Sequence, residues 1–312
     1  MPGPLLPPPP IAATTVATNE LRREFQTLLL SQAQMLGRRQ LRIKIPRAGA
    51  TGPREDMAYH FRPELQIQLD GESEFNLPDG DSLLLRSGEM AVMPPLVPHR
   101  LVDRPDAPSR RLVVGFYSSA VSMHFGRRAW NQEAALEAIG LYPTANLRQI
   151  VDLSALLIAY AHGSRLHREQ GENAVAAALL WLLVDLLDDE VPETDTDSNR
   201  LFQIKWLVHS HLSNPDLGVK FLSEQMRCSP SHLSHLFAKE SDQPLTQYIH
   251  EQRVARAMEA LGSNKLTISE IAWACGFADP GYFSRVFRKQ TGLTPQACRK
   301  KLEDDARLTL DD

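Results

Sequence analysis

Two stretches of this chain, about fifty residues apart, follow one pattern, and that repetition constrains the fold more than any other feature. Leu222-Ser-Glu-Gln-Met-Arg227 precedes Ser229-Pro230, Leu233 and Leu236-Phe237; Ile271-Ala-Trp-Ala-Cys-Gly276 precedes Asp279-Pro280, Phe283 and Val286-Phe287. The offset is 49 residues before the turn and 50 after it. Each copy reads as a short helix, a tight turn and a second helix opened by an N-cap residue with proline at its first position. That is helix-turn-helix geometry.

The copies sit in a run of seven expected helices, at about 200–213, 217–226, 230–240, 244–261, 267–274, 280–290 and 295–302. Leu233, Leu236 and Phe237, like Phe283, Val286 and Phe287, share one face of their helix and are expected to bury it. The opposite faces carry Ser231, Ser234, His235 and Lys239 in the first copy, and Tyr282, Ser284, Arg285, Arg288 and Lys289 in the second. A connecting helix over 244–261 would be about 27 Å long at 1.5 Å per residue. That length suits two recognition helices entering successive major grooves, about 34 Å apart.

Charge supports the same partner. Net charge over the whole chain is -4, but Arg200 to Lys301 holds 14 Lys/Arg against 8 Asp/Glu. The basic module is therefore segregated from an acidic remainder. Residues 188–198, with Asp188, Asp189, Glu190, Glu193, Asp195 and Asp197, read as an interdomain linker.

The remainder changes texture several times. Met1 to Pro10 is proline-rich with neither a basic nor an apolar signal region, so residues 1–18 are expected to be a disordered tail. Leu21, Phe25, Leu28, Leu29 and Leu36 recur at helical spacing over about 20–37. From Gln40 to Tyr117 the period falls towards two: Leu41, Ile43 and Ile45 alternate with Arg42 and Lys44, and Leu65, Ile67 and Leu69 with glutamines. Asp70-Gly71, Asp79-Gly80 and Ser87-Gly88 are expected as turns of an antiparallel sandwich or barrel. Helical spacing returns from Ala145 to Asp188, with an apolar face wide enough to need a partner, either the barrel or a second copy of the chain. The longest apolar run, Ala174 to Val184, is far below the roughly 18 residues of a membrane span. The three cysteines, Cys228, Cys275 and Cys298, are too few and too late in the chain for a disulfide framework. A reducing, cytoplasmic compartment is expected.

Arg253-Val-Ala-Arg-Ala-Met-Glu-Ala-Leu261, Ile268-Ser-Glu-Ile-Ala-Trp-Ala-Cys-Gly-Phe277, Tyr282-Phe283-Ser-Arg-Val-Phe287 and Gly292-Leu-Thr-Pro295 resemble the signature of AraC/XylS-family transcriptional regulators. The resemblance covers about the last third of the chain. Arg227 and Asp242 depart from it where the family usually has Gly, and Cys298 where it usually has an aromatic. It implies that the second helix of each unit lies in the major groove of operator or promoter DNA. The base-facing residues it implies are Ser231, Ser234 and His235 in the first unit and Pro280, Gly281, Tyr282, Ser284 and Arg285 in the second, with Lys239 and Lys289 as further DNA-binding residues and Lys289 read as a backbone contact. Arg285 stands out because a guanidinium can pair bidentately with guanine. It also implies a transcription activator or repressor that answers to a small-molecule effector, works as a homodimer and takes RNA polymerase as a further partner.

The barrel segment resembles the two cupin motifs. Gly52-x5-Ala58-x-His60-x3-Glu64-x6-Gly71 has Ala58 for a ligand histidine; Gly88-x5-Pro94-x-Leu96-x2-His99-x3-Asp103 has Leu96 for Gly and Asp103 for Asn. His60, Glu64 and His99 remain of a metal set, a pattern that suits Fe(II). The preferred reading is that His60, Arg62, Glu64, Gln66 and His99, with Gln68 depending on strand phase, line a pocket for an effector such as a sugar or organic acid, with no metal and no cofactor. The expected fold is α+β. It comprises a cupin-like antiparallel β-barrel with flanking helices (19–187, barrel about 40–120), the linker, an all-α domain of two helix-turn-helix units (199–302) and an acidic tail (303–312). The expected protein is not an enzyme. The alternatives are a cupin metalloenzyme, a dioxygenase or isomerase, with an accessory DNA-binding domain, and a DNA-repair alkyl acceptor using a cysteine.

If the two apolar patterns build separate cores, a fragment beginning near Asn199 will fold and bind DNA with no effector present. An unfolded fragment, or one inert on DNA in a gel-shift assay, would contradict the division.

Overall fold

A computed structural model of the chain describes residues 19–38, 41–47, 57–58, 60, 62–102, 108–116, 120–128, 135–163, 166–188, 196–262 and 266–308. The proline-rich tail, Gly52 and Asp103 of the motifs and most of the acidic linker lie outside them. Two compact units emerge, one built chiefly from Arg62–Thr194 with Pro9–Gly49, the other chiefly from Asp195–Asp312.

The first unit is an eight-stranded sheet with three helices, so the chain is α+β. Its strands are β1 (Arg42–Lys44), β2 (Glu64–Asn76), β3 (Ser82–Arg86), β4 (Glu89–Met93), β5 (Arg100–Leu101), β6 (Ser109–Phe116), β7 (Ala120–Arg128) and β8 (Ala135–Pro143). The main path runs β1-β4-β2-β6-β7-β8, and the far half of β2 pairs with β3 and β5. Asp70-Gly71, expected as a turn, lies inside β2. The register against β6 shifts between Gln68 and Asp70, a bulge that bends the strand and lets it serve both groups of partners. Gly71 has φ +66°, and a Cβ there would lie 2.1 Å from the Pro108 carbonyl oxygen, so only glycine fits.

Alternation gives the sheet two buried faces. Leu65, Ile67, Met90, Val92, Leu112, Val114, Val121, Met123 and Phe125 pack with Leu21, Phe25 and Leu29 of α1 (Asn19–Gly37) and Leu179, Leu180 and Leu183 of α3 (Arg168–Asp185). Helix α2 (Leu147–His162) adds Ile150 and Leu157 to that core. The other face closes on a second core of Phe75, Leu85, Ala91 and Met93. Arg22 of α1 pins the helical layer: its Nε donates to Leu187 O (2.8 Å) and its Nη2 to Leu186 O (2.9 Å), putting a cation at the carbonyl end of α3.

The second unit contains α4 (Thr196–Ser210), α5 (Val219–Gln225), α6 (Pro230–Ser241), α7 (Leu245–Leu261), α8 (Ile268–Ala274), α9 (Pro280–Thr291) and α10 (Pro295–Leu308). Thr196–Ser198, assigned from sequence to the linker, begin α4, and α10 continues six residues into the stretch expected as a tail. The twin N-caps form: Ser229 accepts from His232 N, and Asp279 from Tyr282 N. Leu233, Phe237, Phe283 and Phe287 are fully buried. At the helix ends Ser241 and Thr291, fifty residues apart, donate to the Phe237 and Phe287 carbonyls.

The repeat also shows where sequence and backbone conflict. Gly276 and Gly292 of the second copy adopt φ +80° and +78°; their counterparts, Arg227 and Asp242, adopt φ 51° and 53°. A side chain in that region costs about 1–2 kcal/mol, less for Asp, which tolerates it through local hydrogen bonding. Arg227→Gly should therefore stabilise the chain by about 1 kcal/mol after the greater flexibility of unfolded glycine is allowed for, and Asp242→Gly by less. Thermal unfolding of both variants checks the order; a destabilised Arg227→Gly would contradict it.

Candidate nucleic-acid interface and barrel chamber

On α6, burial of Leu233, Leu236 and Phe237 leaves Ser231, His235 and Lys239 exposed and Ser234 half-buried. Lys239 is paired with the neighbouring Glu240 (3.2 Å). On α9, Gly281, Tyr282, Arg285, Arg288 and Lys289 are exposed, with Pro280 and Ser284 half-buried. The Ser284 hydroxyl donates back to Pro280 O (3.0 Å), so its proton is committed to the helix and it faces outward as an acceptor. The Arg285 guanidinium lies 5.9 Å from the Tyr282 ring centroid, and Tyr282 in turn packs edge-on against His250 of α7 (6.0 Å). An aromatic anchored at one end thus limits the arginine's freedom, which reduces the entropy lost when that guanidinium is fixed on a base.

The helix before each reading helix is fixed differently. Thr267 and Glu270 form a reciprocal capping box at the start of α8, Glu270 N donating to Thr267 Oγ1 (3.2 Å) and Thr267 N to Glu270 Oε2 (2.7 Å). Helix α5 starts from Gly218 with no side-chain cap. Two of the cysteines, Cys275 and Cys298, are ill suited to a nucleophilic role. Cys275 is fully buried, and burial pushes its thiol up to about 12; burial also raises Cys298. Thiols held protonated are poor alkyl acceptors.

In the other unit, strand phase places Glu64, Gln66 and Gln68 on the face opposite the Leu65/Ile67 core. The register aligns them with β6 and β7: Glu64 opposite Gly115 and then Ser122, Gln66 opposite Val113 and then His124, Gln68 opposite Arg111 and then Gly126. These rows form a polar face on the side of the sheet opposite the helical layer. Gln66 Nε2 donates to Glu64 Oε1, which lies 3.4 Å from His99 Nε2. His99 Nδ1 sits 3.1 Å from Val97 O, which can only accept, so that nitrogen carries hydrogen. His99 is 4% exposed and Glu64 half-buried. His60, also half-buried, and Arg62 precede β2. Glu64 and His99 belong to the sheet unit, whereas His60 falls in Ala50–Phe61, which groups with the helical unit.

The site expected from sequence omits four further polar residues of this face. Ser73 and Ser122 are buried on the inner face, His124 shares it, and the Arg111 side chain crosses onto Gly126, where a Cβ would lie 3.0 Å from the guanidinium carbon. For Ser122, His124 and Gly126 the signal is a clean alternation with Val121, Met123 and Phe125. For Arg111 it is hidden, because Leu112, Val113 and Val114 are apolar on both faces. Among the described residues, Gln66 Oε1, Gln68 Oε1, Ser73 Oγ and Ser122 Oγ are buried without a hydrogen-bond partner.

Comparison with known proteins bears on the helical unit. Residues 222–301 match the helix-turn-helix domain family. The chain is 39% identical over 98 residues to the transcriptional regulatory protein YesN of Bacillus subtilis, covering 30% of this chain and 27% of that protein. It is 26% identical over 247 residues to the arabinose operon regulatory protein of Salmonella typhimurium, covering 77% of this chain and 84% of that one. It spans about half the length of several further relatives, among them the transcriptional activator RhaR of Escherichia coli. The solved C-terminal domain of a yesN response regulator from Fusobacterium nucleatum is 29% identical, covering 32% of this chain and 98% of that one, with a TM-score of 0.32. The fold and the family match define a helix-turn-helix domain in the last third of the chain. More narrowly, that domain lies within the stretch of the chain that is similar to the arabinose operon regulatory protein. Among the described residues, no helix is long and apolar enough to cross a membrane.

Arg285→Ala should weaken binding to the preferred duplex by about 1–3 kcal/mol and relax the preference at one base pair, whereas Lys289→Ala should weaken all duplexes alike and lower the salt slope by about one unit. Titrations on preferred and scrambled duplexes at two salt concentrations separate the two. Equal losses for Arg285→Ala on both duplexes would make it a phosphate contact.

Proposed function

We propose that this chain is a cytoplasmic, sequence-specific regulator of transcription whose DNA binding answers to a small molecule held in the cupin-like chamber. The observation that carries the effector half is the set of four buried oxygens, on Gln66, Gln68, Ser73 and Ser122, that find no partner among the described residues. A buried polar atom without a partner costs about 1–3 kcal/mol, and a ligand that satisfies several of them recovers that cost. Two are amide carbonyls, which can only accept, so the effector class is one rich in hydroxyl or amino donors, a sugar or a hydroxylated organic acid. Glu64, Gln66 and His99 form the connected part of the wall, and Arg62 and His60 flank it in sequence. Homodimerisation and contact with RNA polymerase belong to this reading as well.

Thermal unfolding of the full chain in the presence of sugars and small organic acids tests it. A ligand at about 100 times its Kd adds about 2.7 kcal/mol of stability, and Gln68→Leu should remove the effect of that ligand while leaving the unliganded protein folded. The same ligand should change affinity for DNA. If no such donor-rich compound shifts unfolding, and the purified chain instead carries stoichiometric iron or zinc that is lost in His99→Ala, the metalloenzyme reading replaces this one.

A further inference from the structure

Arg253 is a buried cation in the helical unit whose hydrogen bonds go to backbone carbonyls, and it lies on neither exposed helix face. It lies on α7, the helix that joins the two helix-turn-helix units, and is 6% exposed. Its Nε donates to Leu212 O (3.2 Å) and its Nη2 to Asn214 O (2.6 Å), both in the turn between α4 and α5 of the first unit. Its guanidinium also faces the Phe277 ring, 5.5 Å from the centroid, and Phe277 belongs to the turn between α8 and α9 of the second unit. Phe277 in turn packs on Phe283 (5.1 Å), the buried anchor of the second reading helix.

The neighbouring glycine closes the arrangement. A Cβ on Gly276 would lie 2.2 Å from Leu212 O and 2.9 Å from Arg253 Nη2. The turn of the second unit therefore rests directly against the carbonyl that Arg253 holds from the first. Burial lowers the Arg253 pKa to about 10, so the group is charged at neutral pH. A charge removed from water at such cost is tolerated when its donors are satisfied with directional bonds, and its retention makes sense where it fixes one arrangement over others.

From this geometry we infer that Arg253 is a positioning residue that locks the two helix-turn-helix units into one spacing, and so sets the distance between the two DNA segments the chain accepts. Helix α7 alone does not fix that distance, because it sets the length of the link and leaves the rotation of each unit about it to side-chain packing. The guanidinium fork holds two carbonyls of the α4–α5 turn, bonds that a lysine cannot reproduce at both positions, while its face and the Gly276 backbone bring the α8–α9 turn against the same point. Arg253 touches no base in this account. It acts on DNA only through the placement of α6 and α9.

The test uses the full chain and the duplex that it selects from a random pool. Companion duplexes carry one base pair more or fewer between the two protected segments, which moves one segment by about a tenth of a turn relative to the other. Wild type should lose about tenfold or more in affinity for the altered spacings, whereas Arg253→Lys should lose less than about threefold. On a duplex that keeps only the segment read by the second unit, the two proteins should bind equally. That equality separates a positioning role from a general loss of structure, which would weaken single-segment binding too. An unchanged spacing penalty in Arg253→Lys, or no spacing preference in wild type, overturns the proposal. If Arg253→Lys does not fold, Arg253→Met, which keeps the stem and drops the buried charge, takes its place; failure of both to fold makes Arg253 a core residue only and also overturns it.

Discussion

A helix can read a groove only if its back is held, and in the C-terminal unit that holding comes from one repeated device: a Leu or Phe early in the reading helix and a Phe four residues later, all fully buried. Leu233 with Phe237 and Phe283 with Phe287 do this in the two copies. Truncating a buried Phe to Ala costs about 3–5 kcal/mol, a large share of what a domain of this size has in total. Everything exposed on α6 and α9 is exposed because those pairs are not. The N-caps at Ser229 and Asp279 fix where each helix begins, so the buried pairs and the outward residues keep a defined phase.

Three described residues other than glycine have positive φ: Leu96, Arg227 and Asp242. Each stands where the family patterns usually have glycine, one in the second cupin motif and two in the first helix-turn-helix unit. The backbone keeps the conformation that those patterns require, and the side chains are carried at a cost in strain. This concentrates the strain of the DNA-binding unit in its first copy, the copy that also lacks a side-chain cap on its leading helix. The second copy has glycines at both equivalent positions, a capping box and the one arginine on a reading face backed by an aromatic. The proposed dominance of the second unit thus rests on backbone chemistry as well as on which side chains face outward.

The helical unit was legible because its signals are local: caps, prolines and apolar spacing mark every helix within a few residues. The barrel was less so. β7 alternates cleanly, yet it lies beyond Tyr117, where the sheet was expected to be nearly finished, and β8 opens with Ala, Leu, Glu and Ala, which carry little strand preference, before Ile139 and Tyr142. Asp70-Gly71 reads as a turn and is a bulge, since the hydrogen bonds to β6 that carry β2 past it are distant in sequence. His99 and Gln66 both lie buried; the first was singled out by motif spacing, the second by strand phase. Arg111 was not, because only the register of β6 against β7 shows that its side chain needs the space over Gly126.

The central claim is that two similar units, rigidly joined, read two segments of one duplex, with the second unit dominant. Selection of duplexes by the full chain from a random pool, followed by sequencing, tests it most directly. The account predicts two preferred blocks centred about one helical turn apart, with the sharper preference, including a guanine, in the block protected by α9. A single block, two equally sharp blocks, or no sequence preference would contradict it.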